Sequence, residues 1–230
     1  MTQSQKIMNK EKAEMQIIDN KITSDTVLFF DMDGTLVDTN YANFLAYKKA
    51  IQSVTTSNYG LTYNPDRRFN RSNLKTAVPN LTKDKYEKII REKEEYYNDF
   101  LDETKLNKKT AEILCKYSKT NKTVLVSNCG KDRAMTTLKH FGLTNKFSDI
   151  FCREFGENDK KIDKFQNAIS KLGVSPNFVI AYENEESEIA NAKKSGISII
   201  NPWVHSEKSG EPKKLSKLIV LLIFKTGIKK

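Results

Sequence analysis

The stretch VLFFDMDGTLVDT, residues 27–39, decides how the rest of the chain is to be read. Val27 to Phe30 run apolar without alternation, the pattern of a strand buried on both faces of a sheet. Gly34 and Thr35 mark the point where the chain turns out of that strand. Asp31 and Asp33 therefore stand at the end of a buried strand. Two carboxylates this close repel each other unless a cation or a shared proton joins them, so the pair points to chemistry rather than to stability.

Four more short, β-rich runs follow: TVLVS (123–127), DIFC (149–152), FVIAY (178–182) and ISII (197–200). Helical patterns lie between them. KDRAMTTLKHF places Met135, Leu138 and Phe141 on one face, and KFQNAISKLGV places Phe165, Ile169 and Leu172 on one face before Gly173 ends the helix. Strand alternating with helix predicts an α/β fold with a parallel sheet covered on both faces. Ligands of such sheets bind at the carboxyl ends of the strands, where Asp31 and Asp33 fall.

The stretch between the first two strands is too long for a simple crossover. Within 42–105, NFLAYKKAIQSV carries Phe44, Tyr47, Ile51 and Val54 at helical spacing, and KDKYEKIIREKEEYYNDFL carries Tyr86, Ile90, Tyr97 and Leu101 on one stripe. Asn64-Pro65-Asp66 and Pro79-Asn80 punctuate it as turns. The expected organisation is an N-terminal extension (1–25), a core domain (26–41 and 106–203), a small helical insertion (42–105) and a C-terminal tail (204–230). LIVLLIF (218–224) in that tail reads as a terminal strand or helix packed on the core.

At 230 residues, 38% hydrophobic and 30% charged, the chain has the composition of a soluble globular protein. The net charge of +10 favours acidic partners. The lysines are scattered and no aromatic-basic motif accompanies them, so a small phosphorylated metabolite is expected rather than nucleic acid. Cys115, Cys129 and Cys152 show no CxxC spacing and are odd in number, which indicates neither a zinc site nor a disulfide framework and suits a reducing compartment. Cys129 has no neighbouring histidine and reads as a small packed residue, and His140 and His205 have no partner that suggests catalysis. No secretory leader and no apolar run near the ~18 residues needed to span a bilayer is visible, so a cytoplasmic protein without a membrane segment is expected.

DMDGTLVDT, then VLVSN at the end of a strand, then a lysine ahead of a helix, then a strand ending in acids and followed by SGI, resembles the haloacid dehalogenase-like superfamily of phosphatases. The resemblance runs from the first strand to about residue 202. It implies a Rossmann-like three-layer core with a helical cap inserted after the first strand. Asp31 would be the nucleophile, forming an aspartyl-phosphate that splits one hard displacement into two easier ones. Asp33 would protonate the leaving oxygen and then deprotonate water. The resemblance also implies Mg²⁺, held by the Asp31 carboxylate and the Asp33 backbone carbonyl, and phosphate binding by Gly34, Thr35, Ser127 and Asn128.

Of the three lysines in DKKIDKF, Lys161 best matches the family's spacing for the phosphate clamp, with Lys160 and Lys164 as alternatives. The fourth motif departs from the family pattern, reading Glu183-Asn184-Glu185-Glu186-Ser187-Glu188 where relatives often have paired aspartates. Glu183, Asn184 and Glu188 are the candidate metal ligands there, Glu183 foremost. Arg67, Arg68 and Arg71 are candidates for substrate selection, because the family places specificity in the cap. The implied activity is Mg²⁺-dependent hydrolysis of a small phosphomonoester; Thr35 favours this over a phosphomutase. A non-catalytic protein that binds a phosphorylated ligand is the remaining alternative.

Overall fold

The computed structural model describes residues 16–17, 19–57, 59–154 and 162–201. The strand expected from VLFF is β1 (Val27–Phe30). Leu28 and Phe30 point to one face of the sheet and Val27 and Phe29 to the other, each into its own apolar cluster. The chain then forms β2 (Val37–Asp38), α1 (Asn40–Thr55), α2 (Arg71–Ala77) and α3 (Lys83–Tyr96), followed by a 3₁₀ segment over Tyr97–Glu103. It returns through β3 (Lys105–Leu106) and continues as α4 (Lys108–Tyr117), β4 (Lys122–Val126), α5 (Lys131–His140) and β5 (Asp149–Phe151). The last described elements are α6 (Lys164–Leu172), β6 (Val179–Tyr182), α7 (Glu186–Lys194) and β7 (Ile199–Ile200).

The sheet order is β5-β4-β1-β6-β7, with every pairing parallel. β1 is central, with Phe30 level with Leu125 of β4 and Tyr182 of β6. Helices α4 and α5 cover the face of Leu28 and Phe30, and α6 and α7 cover the face of Val27 and Phe29. The result is a three-layer, Rossmann-like α/β fold. β2 and β3 pair antiparallel, Val37 opposite Leu106, so the chain leaves and rejoins the sheet layer at one place. Between them, Tyr47, Ala50 and Ile51 of α1 pack with Leu74, Val78 and Ile89 in a separate apolar cluster.

Local chemistry explains where elements stop and start. Gly173, at φ +63°, ends α6 in the left-handed region that glycine enters without a Cβ clash. Asn64 Oδ1 accepts from the Asp66 amide at 2.8 Å, making the expected turn. Helix α2 is not among the expected elements; its capping box uses two asparagines, Asn70 and Asn73, rather than a hydroxyl and a glutamate. Of the stripe read as Tyr86, Ile90, Tyr97 and Leu101, Tyr97 is fully buried and the other three are half-buried against the apolar clusters; Ile89 and Lys93 are the further buried positions. A lysine in the stripe hides it from an apolar count. On α5 the buried residues are Ala134, Thr137 and Leu138, while Met135 and Phe141 are only half-buried.

Among the described residues no helix is long and apolar enough to cross a membrane. Residues 1–15, Lys160, Lys161, His205, LIVLLIF and the whole 204–230 tail lie outside the described residues.

Candidate active site

Asp31 and Asp33 follow β1 at the centre of the sheet and are both buried. The Asp31 amide donates to the Tyr182 carbonyl at 3.0 Å, which carries the β1–β6 ladder up to the carboxylate. Lys164, the first residue of α6, reaches over the strand ends and places Nζ 2.7 Å from Asp31 Oδ1 and 2.6 Å from Glu183 Oε2. Asp163 sets that position by capping α6, its Oδ1 accepting from the Gln166 amide at 2.8 Å. One ammonium thus serves two buried carboxylates. Burial and the neighbouring Asp31 push the Glu183 carboxyl up to about 7 despite Lys164. Burial likewise raises Asp31, against the pull of Lys164.

Glu183 is held on every side. Its Oε1 accepts from the Asn184 and Glu185 amides, both at 2.9 Å, and its own amide donates to Asn201 Oδ1 at 2.8 Å. Asn201 Nδ2 donates in turn to the Glu183 carbonyl. Asn184 lies over the loop after β1, where its Oδ1 accepts from Thr35 Oγ1 at 3.0 Å. Gly34 is required beneath it: φ is +84°, and a Cβ there would sit 2.4 Å from Asn184 Nδ2.

Asp33 is gripped differently. Thr39 Oγ1 donates to Oδ1 at 2.7 Å, and is itself bonded by Asn43 Nδ2 at 3.1 Å. Arg133 of α5 forms a two-pronged pair, Nη1 to Oδ1 at 2.9 Å and Nη2 to Oδ2 at 2.6 Å. Arg68, from the segment before α2, adds Nη2 to Oδ2 at 2.9 Å. Although burial opposes ionisation, the two guanidiniums hold Asp33 well below the usual carboxylate range. Arg133 is fixed by more than Asp33, stacking over the Tyr97 ring at 5.1 Å and lying 3.5 Å from Glu94.

These groups open on one cavity of about 420 Å³. Ser127 and Asn128, which follow β4 on the strand beside β1, also line it. Ser127 is buried, and Asn128 Oδ1 is buried with no hydrogen-bond partner among the described residues, which leaves an acceptor facing the cavity. Lys93 of α3 also faces the cavity. Burial, with Arg133 close by, brings its ammonium down to about 8.

The structure brings together Asp31, Asp33, Ser127, Asn128, Arg68, Arg71, Glu183 and Glu188 around this cavity. Arg67 instead lines a second cavity, shared with Gly34, Arg68 and Asn184. Lys161, favoured on spacing, lies outside the described residues; the lysine found at Asp31 is Lys164. Cys129 is a buried packed residue, and His140 ends α5, 3.9 Å from Asp102. Arg133, Lys93 and Thr39 escaped the sequence reading. Arg133 left one usable signal, a guanidinium in the first turn of the helix that follows the SN pair.

A family profile described as Haloacid dehalogenase-like hydrolase matches residues 28–201. A phosphorylated carbohydrates phosphatase of Thermotoga maritima is 27% identical over 196 residues, covering 80% of this chain and 88% of that protein. The fold is that of a haloacid dehalogenase-like family hydrolase from Streptococcus pneumoniae (TM-score 0.59, 21% identity, 76% of this chain and 83% of that one). It is also that of CbbY from Rhodobacter sphaeroides, solved in complex with phosphate (TM-score 0.59, 19% identity, 80% and 89%).

Proposed function

Because the chain belongs to the haloacid dehalogenase-like hydrolase family, we propose that it hydrolyses a small phosphomonoester through an aspartyl-phosphate on Asp31, with Mg²⁺ as cofactor. The observation that supports this most is the pairing of buried Asp31 with Lys164 at 2.7 Å, on a cavity that Ser127 and Asn128 also line. A carboxylate attacking a phosphate dianion needs cations and donors around both anions, and these residues supply them. The substrate class is drawn by analogy with the phosphorylated carbohydrates phosphatase of Thermotoga maritima.

In this mechanism an Asp31 carboxylate oxygen attacks phosphorus in line with the leaving oxygen, and the ester bond breaks. Lys164 holds Asp31 in position and draws charge from the phosphoryl oxygens, with Glu183 keeping the ammonium over the strand ends. Ser127 and Asn128 donate to the same oxygens, as the end of a strand before a helix is suited to do. Asp33, once it has taken up a proton from solvent, passes it to the leaving oxygen and afterwards takes a proton from the water that releases phosphate. Residues 42–105, read as a cap, would cover the cavity and exclude bulk water.

The donor atoms at the site suit Mg²⁺ in kind. Asp31 and Glu188 offer carboxylate oxygen and Asn184 an amide oxygen, and one ammonium, Lys164, serves the two buried carboxylates of Asp31 and Glu183. No three acid, histidine or cysteine side chains converge among the described residues, so water and the Asp33 carbonyl would complete the shell. Mg²⁺ bound there would neutralise phosphoryl charge as the carboxylate approaches.

Phosphate release from an aryl phosphate and a panel of sugar phosphates, with Mg²⁺ and with EDTA, tests the proposal. Turnover that requires Mg²⁺ and vanishes in Asp31→Asn supports it. Turnover that survives in Asp31→Asn, or none on the whole panel, overturns it.

A further inference from the structure

Two cysteines that the phosphatase chemistry does not use stand beside each other at the ends of β4 and β5. The Ser127 amide donates to the Phe151 carbonyl at 2.9 Å, and the Arg153 amide donates to the Cys129 carbonyl at 3.0 Å. These two bonds continue the parallel β4–β5 ladder and hold Cys129 next to Cys152. Strands paired in this way run about 4.8 Å apart, inside the Cα separations of about 4.4–6.8 Å that a disulfide spans. Both side chains turn into the same apolar cluster, that of Leu28 and Phe30. There the Cys152 thiol donates to the Cys129 sulfur.

The two sulfurs differ in a way that suits stepwise oxidation. The bond from Cys152, with Arg133 close by, brings the Cys129 thiol below its ordinary value although burial opposes this. The same bond, and burial, push Cys152 up. One sulfur is readied to ionise, and its half-buried neighbour holds the proton. Cys129 also directly follows Ser127 and Asn128 and precedes Gly130, the N-cap of α5, whose first turn carries Arg133. Anything that moves Cys129 therefore moves the end of the site that meets phosphate.

We propose that Cys129 and Cys152 close a reversible disulfide in response to a peroxide, and that closing it displaces Ser127 and Asn128 and so slows turnover. Only the effect on turnover rests on the phosphatase reading. The Cys129 thiolate attacks one peroxide oxygen and breaks the O–O bond; the departing hydroxide takes up the Cys129 proton and leaves as water, and Cys129 becomes a sulfenic acid. The Cys152 sulfur then displaces that hydroxyl, which leaves with the Cys152 proton as a second water. The two thiols lose two electrons and the peroxide gains them. Covalent contact is closer than a hydrogen bond allows, so the turn over 127–130 must shift. A displacement of about 1 Å in groups that position a substrate costs on the order of 10²-fold in rate.

The full chain is treated with a small excess of hydrogen peroxide, quenched with catalase, unfolded and alkylated. Three thiols should label in the reduced protein and one after oxidation, that of Cys115. Digestion should give a peptide pair joined through Cys129 and Cys152 that dithiothreitol separates. Labelling of all three, a link through Cys115 or between two chains, or oxidation of one cysteine without a link overturns the proposal. With Mg²⁺ and an aryl phosphate, oxidation should lower kcat/KM by about 10–100-fold, and dithiothreitol should restore it. Cys152→Ala, a change at a half-buried position outside the cavity lining, should keep the parent rate and lose both the link and the response to peroxide; Cys129→Ser should lose the link as well. Undiminished turnover in the linked protein, or a loss that Cys152→Ala shares, refutes the switch.

If the reduced protein hydrolyses no phosphate, the phosphatase reading has failed by itself, and the thiol count still decides whether the disulfide forms. Hydrogen exchange in peptides spanning 127–134 then reads the displacement. Exchange that changes on oxidation in the wild type and not in Cys152→Ala upholds it. Exchange that stays the same in the linked protein refutes it.

Discussion

Replacing Gly34 with alanine tests whether the loop after β1 is held as tightly as its geometry indicates. Two costs add. At φ +84° an L-residue sits in the left-handed region, at about 1–2 kcal/mol. The new Cβ would also stand 2.4 Å from Asn184 Nδ2, so Asn184 must move and its bond from Thr35 is lost, at about 0.5–1.5 kcal/mol. The expected destabilisation is about 1.5–3.5 kcal/mol, read from urea unfolding. The two parts separate in a double-mutant cycle. On an Asn184→Gly background there is no wall to meet, so Gly34→Ala should cost only the backbone part, about 1–2 kcal/mol. The same cost on both backgrounds would show that Asn184 does not confine Gly34. A cost under about 0.5 kcal/mol on the parent would refute the backbone argument as well.

Asp33→Asn should lower kcat by about 10²–10⁴-fold on an alkyl phosphate and much less on an aryl phosphate, whose leaving group needs no proton; equal losses on both would remove Asp33 from the acid role. Asn184→Asp keeps the acceptor for Thr35 and adds a carboxylate near Asp31, so Mg²⁺ should raise its Tm more than it raises that of the parent, which a thermal melt with and without EDTA measures. Lys93→Met should stabilise the protein by roughly 1–3 kcal/mol at pH 7. The folded ammonium titrates near 8 and the unfolded one near 10.5, so between those values the unfolded chain binds more protons and stability rises with pH. The penalty is thus complete below about 8 and gone above 10.5, and the advantage of Lys93→Met in denaturant melts should shrink across that window.

The legible parts of the molecule were those whose physics is local. Val27 to Phe30 are apolar on both faces, and only a central strand buries both, so four residues were enough to place β1. Asp31 and Asp33 are read from a spacing of two. Lys164 was nearly readable: Asp163 is a good helix cap, which makes Lys164 the first helical residue, yet family spacing favoured Lys161. Arg133 meets Asp33 across 100 positions of sequence, and nothing within KDRAM separates a buried guanidinium from a solvated one. Lys93 lies in REKEEYY, where every neighbouring charge suggests a surface. Burial of that lysine follows from the packing of α3 against α1 and the Tyr97 ring, a property of the assembled layers and not of the segment.

The central place of β1 has a further consequence. Its amides and that of Asp31 are bonded on the inside of the sheet, and amides in such positions exchange with solvent only when the whole domain comes apart. Arg68 lies between α1 and α2, in a segment with no helix or strand of its own. Segments of that kind open at far lower free energy than a central strand. The strand that carries Asp31 and the segment that carries Arg68 therefore belong to different tiers of local opening. On warming, the Arg68 contact to Asp33 should loosen well before β1 opens.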